Sequence, residues 1–485
     1  MPVQNTATFT GVATRPSNLH VLIPVSRPDQ NLCKTLLSAS ILGYPSPVII
    51  NWNQQFNNAD LVEGGSHLAK ISGTHEYLQS LDETRNDDVV LMLDGYDIWL
   101  QLRPQTLLDR YFAINRRANN RLRAELGDVA EKQNIRQDII FGCQKRCWPW
   151  ELTDTPCYAV PNSTLPDDIY GPDTDTDRPR ETGVENPYVN YRQRFLNSGV
   201  GVGTVRAMRK LFEEAKELLE AEPNLGSDQY IFGHIFGDQS IWREAMRRDA
   251  GGARNGDTAS WPSAHFDAVR QKARERKDKT FEFGIGVDYG SEIGLNTVFA
   301  EDDTKWLNFN DPSQLRQVQL DHSIHGAHKR LQNISRDITN TLPPFWTFTV
   351  EDDLSRWTAW DEVPLFTNVY TGITPAVIHH NAHLDGLKSR RETWWDRAWF
   401  FPHARTLLDA SIYAPVVPVA ISGYDEQTAR EFWPYEIWKG GARNGVARLG
   451  SFEGDDWLRF DEICRDSHQE VFRDGKGPWL LPDAH

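Results

Sequence analysis

Asp94 and Asp97 flank Gly95-Tyr96 directly after VVLML, an unbroken apolar run at residues 89–93. A tight turn there aims both carboxylates into one crevice, and two converging carboxylates with no cation between them repel and drive one pKa up. A divalent metal ion removes that conflict. The plain alternative is a polar turn with two unrelated aspartates, because D-x-x-D is a short pattern. A second constellation is Val377-Ile378-His379-His380-Asn381, again an apolar run ending in polar groups, with Lys388 a short distance on. A single histidine is usually structural. An imidazole beside two carboxylates nevertheless suits manganese, with magnesium as the second choice, and a nearby lysine suits a diphosphate.

The elements that must position these residues alternate in type. Strand-like runs at 20–25 (HVLIPV) and 47–50 bracket a helical pattern over 32–42, which is a βαβ opening. Apolar residues recur at helical spacing over 68–81 and lead into VVLML, whose continuous apolarity is that of a central parallel strand. A strand is expected at 139–141 and a strand or turn at 195–203. Met208, Leu211, Phe212, Ala215, Leu218 and Leu219 form one helical face. A second helix is expected to begin near Gln239, and strands recur at 281–287, 298–299 and 376–378. The pattern implies an α/β fold with a mostly parallel, Rossmann-like central sheet flanked by helices, binding ligands beyond the carboxyl ends of its strands. The DGYD segment lies at such an end. Residues 151–194, rich in Pro, Asp and Thr, read as a long loop, and 311–365 read as an insertion.

Composition narrows the class. With 39% hydrophobic and 25% charged residues the chain is a folded globular protein. A net charge of −16 without a long Lys/Arg run gives no footprint for nucleic acid or an anionic membrane. No stretch approaches the roughly 20 apolar residues of a membrane span, and the first residues lack the layout of a secretory signal. Of the five cysteines, Cys143, Cys147 and Cys157 lie close together without zinc spacing, and a Cys147–Cys157 disulfide would close a short loop; Cys33 and Cys464 are remote. That loop and the sequons at Asn162 and Asn333 lean towards the lumen of the secretory pathway, Golgi or ER, with an anchor or signal absent from this chain; the cytoplasm stays open as the alternative. GVGVG at 199–203 lies too deep in the chain for a dinucleotide fingerprint. Asp173, Asp175 and Asp177 begin like a calcium loop, but Arg178 and Val184 occupy its glycine and glutamate positions, so a solvated acidic loop is expected.

Six motifs in order carry a resemblance. Gly64-Gly65 with Lys70, VVLMLDGYDIWL, FGCQKRCWPW at 141–150, FLNSGVGVG at 195–203, Gly237-Asp238-Gln239 and NVYTGITPAVIHHNA at 368–382 together resemble the glycosyltransferase domain of the procollagen lysyl hydroxylases and its fungal relatives, and more distantly the glycogenin-like GT-A enzymes. Two departures stand out: His380 and Ala382 replace glycines of the last motif, and a single Asp238 stands where relatives have a run of aspartates. The resemblance implies a GT-A domain over 18–410, interrupted at about 311–365, with 411–485 as an extension packed on it. It also implies a retaining, metal-dependent transfer of glucose or galactose from a UDP-sugar to a protein or glycan hydroxyl; with no carboxylate nucleophile to point to on the correct face, a front-side, ion-pair-like displacement is the expected route. In that scheme Asp94, Asp97 and His379 hold Mn2+ or Mg2+ against the diphosphate. Tyr96 lies near the uracil, Ser26 lies by the nucleoside, Lys388 meets the diphosphate, and Lys70 and Asn381 line the donor site. Asn197, Asp238 and Gln239 would face sugar and acceptor, and Trp148 would wall the acceptor side, with core packing as its alternative. A nucleotide-sugar hydrolase and a UDP-sugar-binding or glycan-binding protein without turnover are the competing readings.

Overall fold

The computed structural model describes residues 15–54, 65–177, 186–221, 227–252, 261–325, 330–348, 356–383, 385–434, 445–450 and 456–479. Gly64, Arg178 and Val184 of the sequence reading lie outside the described residues. The strands are β1 (Arg15–Pro24), β2 (Val48–Ile50), β3 (Val89–Leu93), β4 (Ile98–Leu100), β5 (Ile139–Gln144), β6 (Phe195–Thr204), β7 (Ile285–Val287), β8 (Gly294–Asn296), β9 (Thr304–Leu307), β10 (Leu365–Asn368), β11 (Val377–His379), β12 (Ala420–Ser422), β13 (Arg430–Pro434), β14 (Ala447–Leu449) and β15 (Trp457–Leu458). All but β9 and β10 share one sheet, whose main path runs β15-β14-β2-β1-β3-β6-β5-β8-β11-β4. Its pairings are largely parallel. Within the main path the antiparallel members are β6, between β3 and β5, and the end strands β4 and β15.

Burial on both faces explains the parallel core. Every residue of VVLML is buried, and helices cover the sheet from both sides. On one face the helices Gln30–Leu42 and Pro104–Leu126 pack through Leu32, Leu36, Leu107 and Tyr111. On the other, Gly65–Ser80, Val205–Ala221 and Asp228–Asp249 pack through Leu68, Met208, Phe212 and Phe232. The first helix has a local start and stop: the Asp29 side chain accepts from the Asn31 amide, and Gly43 closes it at φ 82°. No helix among the described residues is long and apolar enough to cross a membrane.

The sheet is strongly curled, as chain length demands. Four strands separate β3 from β4 along the main path, so a flat sheet would hold them about 24 Å apart. The chain from Leu93 to Ile98 spans at most about 18 Å. The β11–β4 edge therefore comes round towards the end of β3, and the short DGYD connection is what bridges the gap.

Three expectations are corrected. The helix expected near Gln239 already starts at Asp228, capped by the Ser227 hydroxyl, which accepts from the Gln229 amide. Gly233 and Gly237, inside this helix, serve close packing: a Cβ on Gly233 would lie 1.9 Å from the Trp150 ring, and one on Gly237 would lie 2.5 Å from the Thr155 backbone. Val298 and Phe299 are not a strand; Phe299 turns the chain at φ 60°. Finally, residues beyond 411 join the sheet itself, since β13 pairs with β1 and β14 with β2, both in parallel. The insertion hangs on an antiparallel β9–β10 ladder, and Arg103 binds it by donating to the carbonyls of Leu342, Pro343 and Pro344.

Cys147 and Cys157 are bonded as expected, and Cys33 is joined to Cys464 across 431 residues of sequence. The second bond fastens the C-terminal helix Phe460–Cys464 to the first helix. Replacing both Cys33 and Cys464 by serine is expected to lower the free energy of unfolding by about 2–4 kcal/mol, because the unfolded chain regains the entropy of an open loop. Urea unfolding of the two proteins under non-reducing conditions measures the difference.

Candidate metal centre

The DGYD turn is held from several sides. The Asp94 amide donates to the Gly199 carbonyl at 2.9 Å, and the His380 amide donates to the Asp97 carbonyl at 2.7 Å. The Thr35 hydroxyl, from the first helix, donates to the Ile98 carbonyl at 2.7 Å. Gly95 is required by space, since a Cβ there would lie 1.9 Å from Val25 Cγ1. Tyr96 leans back on the end of β1, its hydroxyl donating to the Arg27 carbonyl at 3.1 Å; Ser26 sits in the same segment.

Into it comes His379 from β11. One ligand atom from each of Asp94, Asp97 and His379 lies within 4.8 Å of the others. His379 Nε2 is 3.3 Å from Asp97 Oδ2 and 3.7 Å from Asp94 Oδ2. Its other nitrogen, Nδ1, pairs with Asn296 Oδ1 at 2.7 Å, and Asn296 is itself oriented by donating to the Cys143 carbonyl. With Nδ1–H committed to Asn296, Nε2 is the nitrogen turned towards the carboxylates, free to exchange a proton for a metal ion, the arrangement typical of a metal-ligating histidine. Two carboxylates and one imidazole fit a borderline-hard divalent ion such as Mn2+.

The charges of the cluster set one another's protonation. Burial by itself lowers the His379 pKa, but Asp97 and then Asp94 outweigh it, so the imidazole titrates above its usual range. Burial raises the Asp97 carboxyl, yet His379 holds it below the usual carboxylate range. A cation bound here takes the place of the proton on His379. Lys70 adds a cation from the helix behind: its ammonium is 2.7 Å from Asp94 Oδ1, 2.9 Å from Asp228 Oδ2 and 2.9 Å from the Ser198 carbonyl. Burial works against its charge, but Asp228 and Asp94 prevail and keep it protonated.

Gly199 sets the room available to the histidine. A Cβ at this position would lie 2.2 Å from His379 Cε1. Gly199→Ala is expected to push the ring out of place and to weaken Mn2+ binding by about tenfold or more, within the range seen when ligand orientation is disturbed. Calorimetric Mn2+ titration, with circular dichroism to verify the fold, reads this out; unchanged affinity would mean that the ring has another way to reach the metal.

The remaining expected residues fall into two groups. Asn197 is buried beside the site, its Oδ1 accepting from the Gly199 amide and its Nδ2 donating to Gln144. Asn381 accepts from the Val298 amide just past β11, Lys388 is exposed in the turn Asp385–Ser389, and Trp148 is 50% exposed. Asp238 and Gln239 lie in mid-helix with scaffold partners. Asp238 is paired with Lys272 at 2.6 Å and accepts from Thr155, and Gln239 bonds to the backbone of Phe283 and Ile285. At the start of that helix the cluster gains two residues the sequence reading passed over. Asp228 meets Lys70, and Gln229 donates to the Trp148 carbonyl at 2.6 Å. Ser227-Asp228, an N-cap residue followed by an acid in the first turn, was the available signal.

No protein-family model matches the chain, and no curated protein matches it. What stands is an α/β fold with a largely parallel sheet and a candidate metal-binding triad at the ends of β3 and β11.

Proposed function

We propose that the chain is a retaining, metal-dependent glycosyltransferase of GT-A type, transferring glucose or galactose from a UDP-sugar to a protein or glycan hydroxyl. The observation that carries this reading is the convergence of Asp94, Asp97 and His379 at the carboxyl end of a central strand, with Lys70 and Asp228 behind them. Such an end is where open α/β sheets bind nucleotides. A Mn2+ ion held by Asp94, Asp97 and His379 would supply positive charge against the charge on a departing diphosphate.

The chain's own residues have distinct tasks in this scheme. Asn296 fixes the histidine, Lys70 keeps Asp94 from swinging away, and Tyr96 presents an aromatic edge where a uracil would lie. Lys388 offers a second cation to the diphosphate. Asp228 and Gln229 take the place at the helix start that Asp238 and Gln239 held in the sequence reading, and the exposed Trp148, held through its carbonyl by Gln229, offers a stacking face to an acceptor. Two disulfides suit an oxidising lumen. The resemblance carried by the ordered motifs names the reaction class, the UDP-sugar and the retained configuration.

The test is release of UDP from a panel of UDP-sugars with Mn2+ and with EDTA, followed by analysis of the sugar product. Mn2+-dependent release from one donor, with the sugar recovered on an added or endogenous acceptor, is the expected result. Free hexose as the sole product would identify a hydrolase, and UDP binding without release from any donor would identify a binding protein.

A further inference from the structure

Arg391 joins two parts of the donor site that the chain separates by almost 300 residues. It belongs to the short helix Arg390–Thr393, which follows the turn Asp385–Ser389 carrying Lys388. Its guanidinium is divided between two carbonyls: Nη1 donates to Tyr96 at 2.9 Å, inside the DGYD turn, and Nε donates to Lys388 at 3.2 Å. The segment is in turn held firmly. Lys34, 1% exposed, donates to the Arg391 carbonyl at 2.6 Å. Trp395 Nε1 donates to the Val471 carbonyl at 2.7 Å and Arg473 donates to the Glu392 carbonyl at 2.6 Å. Those C-terminal residues lie just beyond Cys464, which is bonded to Cys33 in the same helix as Lys34. The metal turn and the Lys388 turn thus meet at the Arg391 side chain, and the C-terminal segment braces its neighbours Glu392 and Trp395.

A planar guanidinium holds two acceptors in a fixed mutual geometry, which an ammonium on a flexible stem does not. Ligands that each order one of two linked segments share the ordering cost, so each tightens the other. We propose that Arg391 is a positioning residue that couples the metal turn to the Lys388 turn, so that a divalent cation at Asp94, Asp97 and His379 and the diphosphate of a nucleotide at Lys388 bind cooperatively. This rests on the donor-site reading above. It adds that metal and nucleotide affinities are linked through protein backbone as well as through direct contact between the two ligands, and it gives the C-terminal segment the task of bracing that link.

The experiment uses the full chain and calorimetry. UDP is titrated with and without saturating Mn2+, and Mn2+ with and without saturating UDP, for the native protein, Arg391→Met and Arg391→Lys. In the native protein Mn2+ is expected to tighten UDP by about tenfold or more, within the range of ordinary couplings. In both variants the enhancement is expected to fall at least about threefold below the native value, with Mn2+ affinity in the absence of UDP kept within about twofold. Arg391→Lys retains charge and stem, so it keeps the question open if Arg391→Met fails to fold. A cycle with Lys388→Ala gives a second readout: in that background Arg391→Met is expected to have little further effect on UDP affinity. Native coupling preserved in the variants, or additive effects in the cycle, overturns the inference alone. Failure of the native protein to bind UDP at all overturns the donor-site reading and the inference together.

Discussion

Asp97→Asn is expected to weaken Mn2+ binding at least about a hundredfold and to bring Mn2+-dependent UDP release down to background. The substitution keeps the shape of the side chain and removes its charge, in a site with three protein ligands from the described residues. Outer-shell changes at metal sites already cost 10–100-fold, so loss of an anionic ligand lies at or beyond the top of that range. The partner is affected as well. Asp97 is the strongest influence raising the His379 pKa against burial, so in the variant the imidazole returns towards neutrality and the remaining pair has only one negative charge to attract the cation. The turn itself should survive, because its backbone bonds to Gly199, His380 and Thr35 involve no atom of the Asp97 carboxylate. Mn2+ titration and thermal unfolding with and without Mn2+ provide independent readings. The native protein is expected to gain stability on adding Mn2+ in proportion to ligand concentration over its dissociation constant, and the variant to gain none. Retention of native Mn2+ affinity would remove Asp97 from the metal shell.

The second large effect concerns the scaffold beneath the site. Lys145, at the end of β5, and Asp303 form an ion pair whose side chains are 0% and 1% exposed, with Nζ 2.8 Å from Oδ2. The Tyr170 hydroxyl donates to the same carboxylate at 2.8 Å, and Lys145 also donates to the Val189 carbonyl at 2.7 Å. Lys145→Met is expected to cost about 3–5 kcal/mol, because it leaves a buried carboxylate without its cation. The loss should depend on pH in a definite direction. Burial already raises the Asp303 pKa, and Lys145 is the main influence pulling it down. In the variant the folded-state pKa moves further above the unfolded value, so the native state is favoured at low pH and loses stability as pH rises through that pKa. Urea unfolding at pH 5 and pH 7.5 should therefore show the larger deficit at the higher pH. Adding Asp303→Asn to Lys145→Met should recover part of the loss, since the two residues act as one unit.

The elements and the ligands were legible to different degrees. VVLML coincides with β3 because a strand buried on both faces writes itself as an unbroken apolar run. The first helix carries an equally local signal in its Asp29 cap and its Gly43 stop. Asp94 and His379 could be named for the same reason: one directly follows β3 and the other ends β11, where an α/β sheet exposes its functional groups, and Asp97 joins them through the short D-x-x-D spacing. Asp228 was passed over because the helix was expected to begin near Gln239, and its partner Lys70 lies on a helix remote in sequence. The strands beyond residue 411 were hidden because strands of two to five residues carry too little periodicity to be read.

By itself, then, the order of residues determined the alternation of strands and helices, the position of the carboxylate turn at a strand end and the identity of the histidine that could join it. Only the tertiary structure decided that they meet. Bringing β11 back to β3 takes the accumulated curl of a sheet whose neighbours are set by hydrogen bonds between distant segments, and nothing local in sequence encodes that sum. The same holds for Lys70 against Asp228, Asn296 against His379, Arg391 against Tyr96 and Cys33 against Cys464. Each pair is made of residues whose own segments predict only a helix, a strand or a turn, and whose contact exists because a curled sheet, packed on both faces, leaves the chain one way to close.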